Sequence, residues 1–217
     1  MPVNKPDAND YATQRKDVQN SNKLEALLQQ ALTLLGENIE RDGLKQTPRR
    51  WADALLDYTR GVREDPGKHL KTIFHLTDNP SQDFHDVVMM DNIEFTSTCE
   101  AHMSPIQGLV HIAYIPSNRT KAITGLSKLS RVVDVFAHRL QVQERFTKQI
   151  SRTIDDHLGT LGTMVIAQTN QYCVDTNGTE IHENPKITWE ALGMFLATPE
   201  LQTKVWSCLK LSASDIR

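Results

Sequence analysis

Cys99 and His102 stand three positions apart in "EFTSTCEAHMSP", a stretch of Thr, Ser and Pro that does not read as core. A thiol and an imidazole at this spacing can ligate a metal, but the same pair also occurs as a buried thiol beside a structural histidine. Cys173 adds weight. It ends the predicted strand "GTMVIAQTNQYCV" among polar residues, where a neighbouring strand could bring it to the Cys99 segment. Two thiolates and one imidazole fill three corners of a tetrahedron and leave the fourth to water, the arrangement of a catalytic rather than a structural zinc site. The third cysteine, Cys208, lies in "VWSCLKL" and reads as core.

A second group of chemical residues follows in "GLSKLSRVVDVFAHRLQVQERF". Gly125 and Ser127 open a helix, where unpaired N–H groups and the positive end of the dipole attract anions. Lys128 and Arg131 put two cations on that turn; the plainer reading is a solvated basic face. Gln143 and Glu144 sit in the break before the next helix. A carboxylate can accept hydrogen bonds from the N1–H and exocyclic amino group of a guanine, and an amide can complete that edge. Glutamate also favours first helical turns for the dipole alone, so spacing leaves both roles open.

Strands must present these residues. "DVVMMDNIEF" and "GLVHIAYIP" flank the Cys99 segment between roughly 86 and 116 and are rich in β-branched and aromatic residues. "GTMVIAQTNQYCV" and "PKITWEALGMF" predict a third and a fourth strand. Leu126, Leu129, Val132, Val133, Phe136 and Leu140 recur at helical spacing, as do Phe146, Ile150, Ile154 and Leu158 after a break at "LQVQE". Upstream, Leu24, Leu27, Leu28, Ala31, Leu34 and Leu35 predict a helix with Asn22 and Glu25 as a capping box and Gly36 as its stop. "TPRRWADALLDYTRG" predicts another, with Thr47 as cap, Pro48 in the first turn and Gly61 beyond the end. The order of elements is that of an α+β domain with an antiparallel sheet covered by helices on one face, and open sheet edges favour oligomerisation. The expected organisation is a flexible polar arm over 1–22, a helical region over 23–82 and the α+β domain over 83–217.

Lys and Arg number 24 against 27 Asp and Glu, a formal charge of −3, which argues against a nucleic-acid scaffold driven by overall charge. No apolar run approaches the roughly 18 residues of a membrane span. The polar N-terminus lacks the apolar stretch of a secretory signal. Three cysteines this far apart make no disulfide framework, so a reducing cytoplasm is the expected compartment.

"FTSTCEAHMSPIQGLVHIAYIP", "GLSKLSRVVDVFAHRLQVQERFTKQI" and the Cys173 segment, ending in "LGMF", closely resemble the GTP cyclohydrolase I family, from about Glu37 to Phe195. The resemblance implies a tunnelling fold whose sheets join in a homo-oligomeric, decameric ring, with active sites between subunits. It implies that Cys99, His102 and Cys173 hold zinc (Zn2+), that Glu144 and Gln143 recognise the guanine of GTP, and that Ser127, Lys128 and Arg131 meet the triphosphate. In that family, zinc-activated water attacks guanine C8 and opens the imidazole ring; loss of formate, ribose rearrangement and closure to a dihydropterin follow. No nucleic acid and no membrane is an expected partner.

The chain departs from the family at three positions. Ala101 in "CEAH" replaces a histidine, Gln171 in "QYCVDTNG" takes the place of a second, and Asn177 that of an arginine. Alanine has no exchangeable proton and glutamine does not titrate near neutrality, so neither can act as the proton carrier the resemblance expects. Asn177, counted with the substrate-binding residues, lacks a fixed positive charge. The expectation is a zinc hydrolase that binds GTP or a close guanine nucleotide, adds water at C8, and stops at the ring-opened formamidopyrimidine nucleotide. Two alternatives stay open: the complete reaction, with His182 or zinc-bound water supplying protons, and a guanine-nucleotide-binding paralogue without turnover. A cysteine-nucleophile reductase fits less well, since no "GxGxxG" fingerprint is present.

Overall fold

The structure, a computed structural model, describes residues 8–71, 73–75, 87–117, 122–171 and 185–209. Packing divides the chain into one unit over Met1–Thr59 and another over Arg60–Arg217.

The first unit pairs helix α1 (Ala8–Leu34) with helix α2 (Thr47–Tyr58). α1 begins well before the apolar period does, so Asn22 and Glu25 lie within the helix instead of capping it. Both are held from α2: Arg49 donates to Asn22 Oδ1 at 2.7 Å and pairs with Glu25 at 3.5 Å. Ser21 donates to Asp53 Oδ1 at 2.6 Å. Small polar side chains suit a cap and an interhelical hydrogen bond equally, which is why the motif misleads here. Gly36 does end the helix. Its φ of +84° is left-handed, and the N–H of Glu37 reaches back to Leu32 O at 3.0 Å. Gln46 rather than Thr47 is the N-cap of α2, while Pro48 occupies the first turn as expected.

The second unit opens with two 3-10 turns, Arg60–Arg63 and Pro66–Lys71. Strands β1 (Ile73–His75) and β4 (Ala122–Thr124) form a small antiparallel pair. The main sheet contains β2 (Val88–Cys99), β3 (Pro105–Ile115), β5 (Leu140–Gln141), β6 (Gly162–Gln171) and β7 (Lys186–Gly193), in the order β5-β2-β3-β6-β7. It is antiparallel except where β5 joins β2 in parallel. Helices α3 (Leu126–Ala137) and α4 (Gln143–Leu158) cover one face. There Leu129, Val132, Phe136, Ile150 and Ile154 pack with Ile93, Val110, Ile112 and Val165, and the rings of Phe95 and Phe146 lie 4.6 Å apart.

Helices do not cover that face alone, as the sequence led one to expect. Ala113, Ile115, Met164 and Ile166 form a second core with Phe195 and Val205, contributed by the short helices α5 (Met194–Ala197) and α6 (Pro199–Cys208). Strand alternation puts this core on the opposite face. Cys208, expected in the core, is exposed at the end of α6. Among the described residues no helix is long and apolar enough to cross a membrane.

β2 contains a bulge between Met90 and Ile93, where Asn92 has a φ of +53°. Two residues of β2 there oppose one of β3, so the bulge absorbs the extra residue and Met90, Ile93 and Phe95 all stay on the helix-covered side. Asn92 donates its N–H to Nδ1 of His111 at 3.1 Å, which makes Nε2 the protonated nitrogen of a neutral ring. His111 is 4% exposed, and its Nε2 has no hydrogen-bond partner among the described residues. Burial pushes its pKa down, against the attraction of nearby Asp91. The unfolded chain therefore takes up a proton near the ordinary value of 6.5 that the folded chain refuses. Stability is expected to be unaffected by this group above that value and to fall below it, by up to about 1.4 kcal/mol per pH unit. Urea midpoints measured from about pH 7.5 to about pH 5 check this. The acid-side loss should be smaller in His111→Leu, and parallel profiles would rule the effect out.

Candidate active site

Cys99 is the last residue of β2 and is buried, whereas Ala101 and His102 project into solvent on the turn that follows. The turn is tight: Met103 N–H bonds to Cys99 O at 2.9 Å, Cys99 N–H bonds to Ser104 O at 2.8 Å, and Met103 takes a φ of +56°. Thiol and imidazole thus share one short loop, held at both ends by backbone hydrogen bonds. Strand register brings a third segment to the same end of the sheet. Ser97 faces Ile106, and Ile106 faces Gln171, the end of β6. The described chain stops there two residues short of Cys173; Cys173, Asn177 and His182 lie outside the described residues, as does the side chain of Gln171.

Among the described residues, no group of three or more His, Cys, Asp or Glu could hold a metal ion. The donors that are described suit zinc in kind, a sulfur and an imidazole nitrogen on one turn held by backbone hydrogen bonds.

α4 begins beside this turn because β5 pairs with the end of β2. Glu100 N–H bonds to Gln141 O at 3.1 Å, and Arg145 joins the Glu100 carboxylate to Leu140 O and Gln141 Oε1. Gln141, itself buried, donates to Phe136 O and Gln149 Oε1, each at 3.0 Å. A short hydrogen-bonded chain therefore locks the Cys99 turn to the start of α4.

Gln143 and Glu144, adjacent in sequence, point to different tasks. Gln143 is 2% exposed and donates both amide hydrogens, to Ala167 O and to Lys186 O, each at 2.9 Å. Its Oε1 accepts from Thr169 Oγ1 at 2.6 Å. Glu144 is exposed, pairs with Lys186 Nζ at 2.7 Å and lines a cleft of about 550 Å³ between α4 and β7. The Lys186 hydrogen bond and the backbone at the start of α4 hold its carboxyl below the usual range, against the effect of partial burial.

Ser127, Lys128 and Arg131 lie at the other end of the helical layer. Gly125 is the N-cap of α3, no side chain caps that end, and no acidic residue occupies its first turn. Ser127 and Arg131 are exposed, and the Lys128 N–H bonds to Gly125 O at 2.8 Å. α3 runs alongside β2: Ser130 Oγ lies 3.8 Å from Met90 Sδ, and Ser97 donates its hydroxyl to Ala137 O at 2.7 Å. The start of α3 is therefore at the Met90 end of β2, while Cys99 is at the other. A rise of 1.5 Å per residue separates the two ends of α3 by about 16 Å.

The sequence profile of the GTP cyclohydrolase I family matches residues 24–210. The chain belongs to this family. A GTP cyclohydrolase 1 of Bacteroides fragilis (strain YCH46) is 42% identical over 164 residues, 76% of this chain and 80% of the relative. One from Clostridium kluyveri is 36% identical over 190 residues, 88% of this chain and 98% of the relative. One from Rhodopirellula baltica is 34% identical over 192 residues, 88% and 80% of the two chains. The mixed helix-and-strand architecture is consistent with the tunnelling fold of GTP cyclohydrolase I. Gln141, Arg145 and Lys186, which organise the site around the family's motifs, have no signal in the sequence beyond proximity. Lys186 in particular reads as an ordinary charge at the start of an edge strand.

Proposed function

We propose that this protein is a zinc-dependent hydrolase of GTP that adds water at guanine C8 and opens the imidazole ring, yielding the formamidopyrimidine nucleotide. The observation that carries the reading is the locked junction between the Cys99 turn and the start of α4, which sets a candidate metal-binding turn beside a carboxylate suited to guanine. Cys99, His102 and Cys173 would hold the metal. When bound, zinc supplies the Lewis acidity that makes water nucleophilic at neutral pH.

The chain's own residues divide the remaining work. Glu144, kept ionised, accepts the N1–H and the exocyclic amino group of guanine. Gln143, with both amide hydrogens committed within the fold, positions Glu144 and is not itself a base contact through its side chain. Ser127, Lys128, Arg131 and the first-turn N–H groups of α3 bind the phosphates, with Asn177 contributing polarity without charge. Ala101 and Gln171 cannot carry protons to the purine or the ribose, so the product stops at ring opening. The separation of the α3 start from the Cys99 turn supports a site shared between copies of the chain, the base and metal half from one and the phosphate half from another, in a ring-shaped, decameric assembly of cytoplasmic protein.

Incubating the zinc-loaded protein with GTP and weighing the products tests the proposal. The expected product has the mass of GTP plus one water and forms without formate. Release of formate with a dihydropterin chromophore would overturn the arrest, and unchanged GTP would overturn the hydrolase reading itself.

A further inference from the structure

We propose that Lys186 is a specificity-determining residue that donates a hydrogen bond to O6 of the purine, so that Lys186 and Glu144 together read the guanine edge. The inference rests on the reading of Glu144 as the base-recognition residue and names the group that completes it. A guanine presents one acceptor, O6, and then two donors, N1–H and the 2-amino group. A carboxylate supplies the two acceptors but nothing for O6. The Lys186 ammonium, 2.7 Å from Glu144 Oε1, puts a donor beside those acceptors. An adenine offers the reverse pattern at its N1 and N6 and would set an N1 lone pair against the carboxylate.

The pair is built, not incidental. Two long, half-exposed side chains that meet on a surface ordinarily gain little from each other. Here one buried residue fixes the backbone beneath both. Gln143 is the first residue of α4 and adjoins Glu144, and its amide also grips the carbonyl of Lys186. Thr169, which pairs with Lys186 across β6 and β7, donates its hydroxyl to the same amide at 2.6 Å. The register of β7 against α4 is thereby set at the residue whose ammonium reaches the carboxylate. Lys186 Nζ keeps further donor directions after pairing with Glu144, since an ammonium carries three hydrogens.

The test compares GTP, ITP and 6-thio-GTP on the zinc-loaded wild-type protein and on Lys186→Met and Lys186→Arg, with dissociation constants taken by stopped flow ahead of turnover. ITP keeps O6 but lacks the 2-amino group; 6-thio-GTP keeps both donors but offers a poor acceptor at position 6. Lys186→Met is expected to lose about 10- to 100-fold in affinity for GTP and for ITP alike, the worth of one hydrogen bond to a charged donor. Its preference for GTP over 6-thio-GTP should collapse towards one, and Lys186→Arg should restore much of it. If Lys186→Met weakens all three nucleotides equally, or none, Lys186 only neutralises Glu144 and the proposal fails while the role of Glu144 stands. Wild-type protein that does not distinguish GTP from ITP, or binds neither, overturns the reading of Glu144 and this proposal with it.

Discussion

Alanine in place of Cys99 is expected to leave the purified protein without stoichiometric zinc and to lower its turnover of GTP by roughly a thousandfold, the rate equivalent of several kcal/mol of lost Lewis-acid stabilisation. Three protein ligands are the minimum for a catalytic zinc site, so removing one sulfur leaves a pair of donors that competes poorly with water. Folding should survive. Cys99 is a small side chain at the rim of the core, and the turn after it is held by backbone hydrogen bonds that alanine preserves. Elemental analysis and product mass measured on the same preparation check the expectation, with thermal melting as the control. A Cys99→Ala protein that keeps one zinc per chain and the parental rate would remove the thiol from the mechanism.

Placing histidine at both positions, by Ala101→His with Gln171→His, is expected to add formate release and dihydropterin formation to the ring opening proposed above. A positioned acid or base contributes about 10² to 10⁴ in rate, so formate release should rise by at least the lower figure. Ala101 is exposed on the turn next to His102, where an imidazole meets no packing obstacle. Each single change should give less than the pair, because the later steps need protons delivered in sequence. Formate assay and absorbance of the product read the result directly. The arrest would be mistaken if the parent already released formate at the rate of the double variant.

Helical periodicity located α3 and α4, each of which buries one patterned face, and runs of β-branched and aromatic residues located β2, β3, β6 and β7, of which β3 and β6 bury both faces. Both failed where a residue's partner is remote. Asn22 and Glu25 have the composition of a cap but are held by Arg49 from another helix. β5 is two residues long and exists only because β2 is there to pair with it. Cys208 sits among apolar letters, yet α6 turns it outwards. Within the site, the motif residues are legible as types, but their division of labour is not. Gln143 and Glu144 are neighbours in the chain and diverge only because β6 and β7 offer two carbonyls and a hydroxyl to the first and an ammonium to the second.

The irregularity at Asn92 governs more than its own surroundings. Met90 and Ile93 are three positions apart and would face opposite ways in a plain strand; because the bulge absorbs the additional residue, Ile93, Phe95 and Cys99 alternate in phase with Met90 and all turn inward. Length is therefore a stricter constraint below the bulge than within it: removing Asn92 would restore plain alternation and leave the thiol facing inward, whereas losing one residue between Ile93 and Cys99, where no bulge absorbs the change, would roll it to the far side of the sheet.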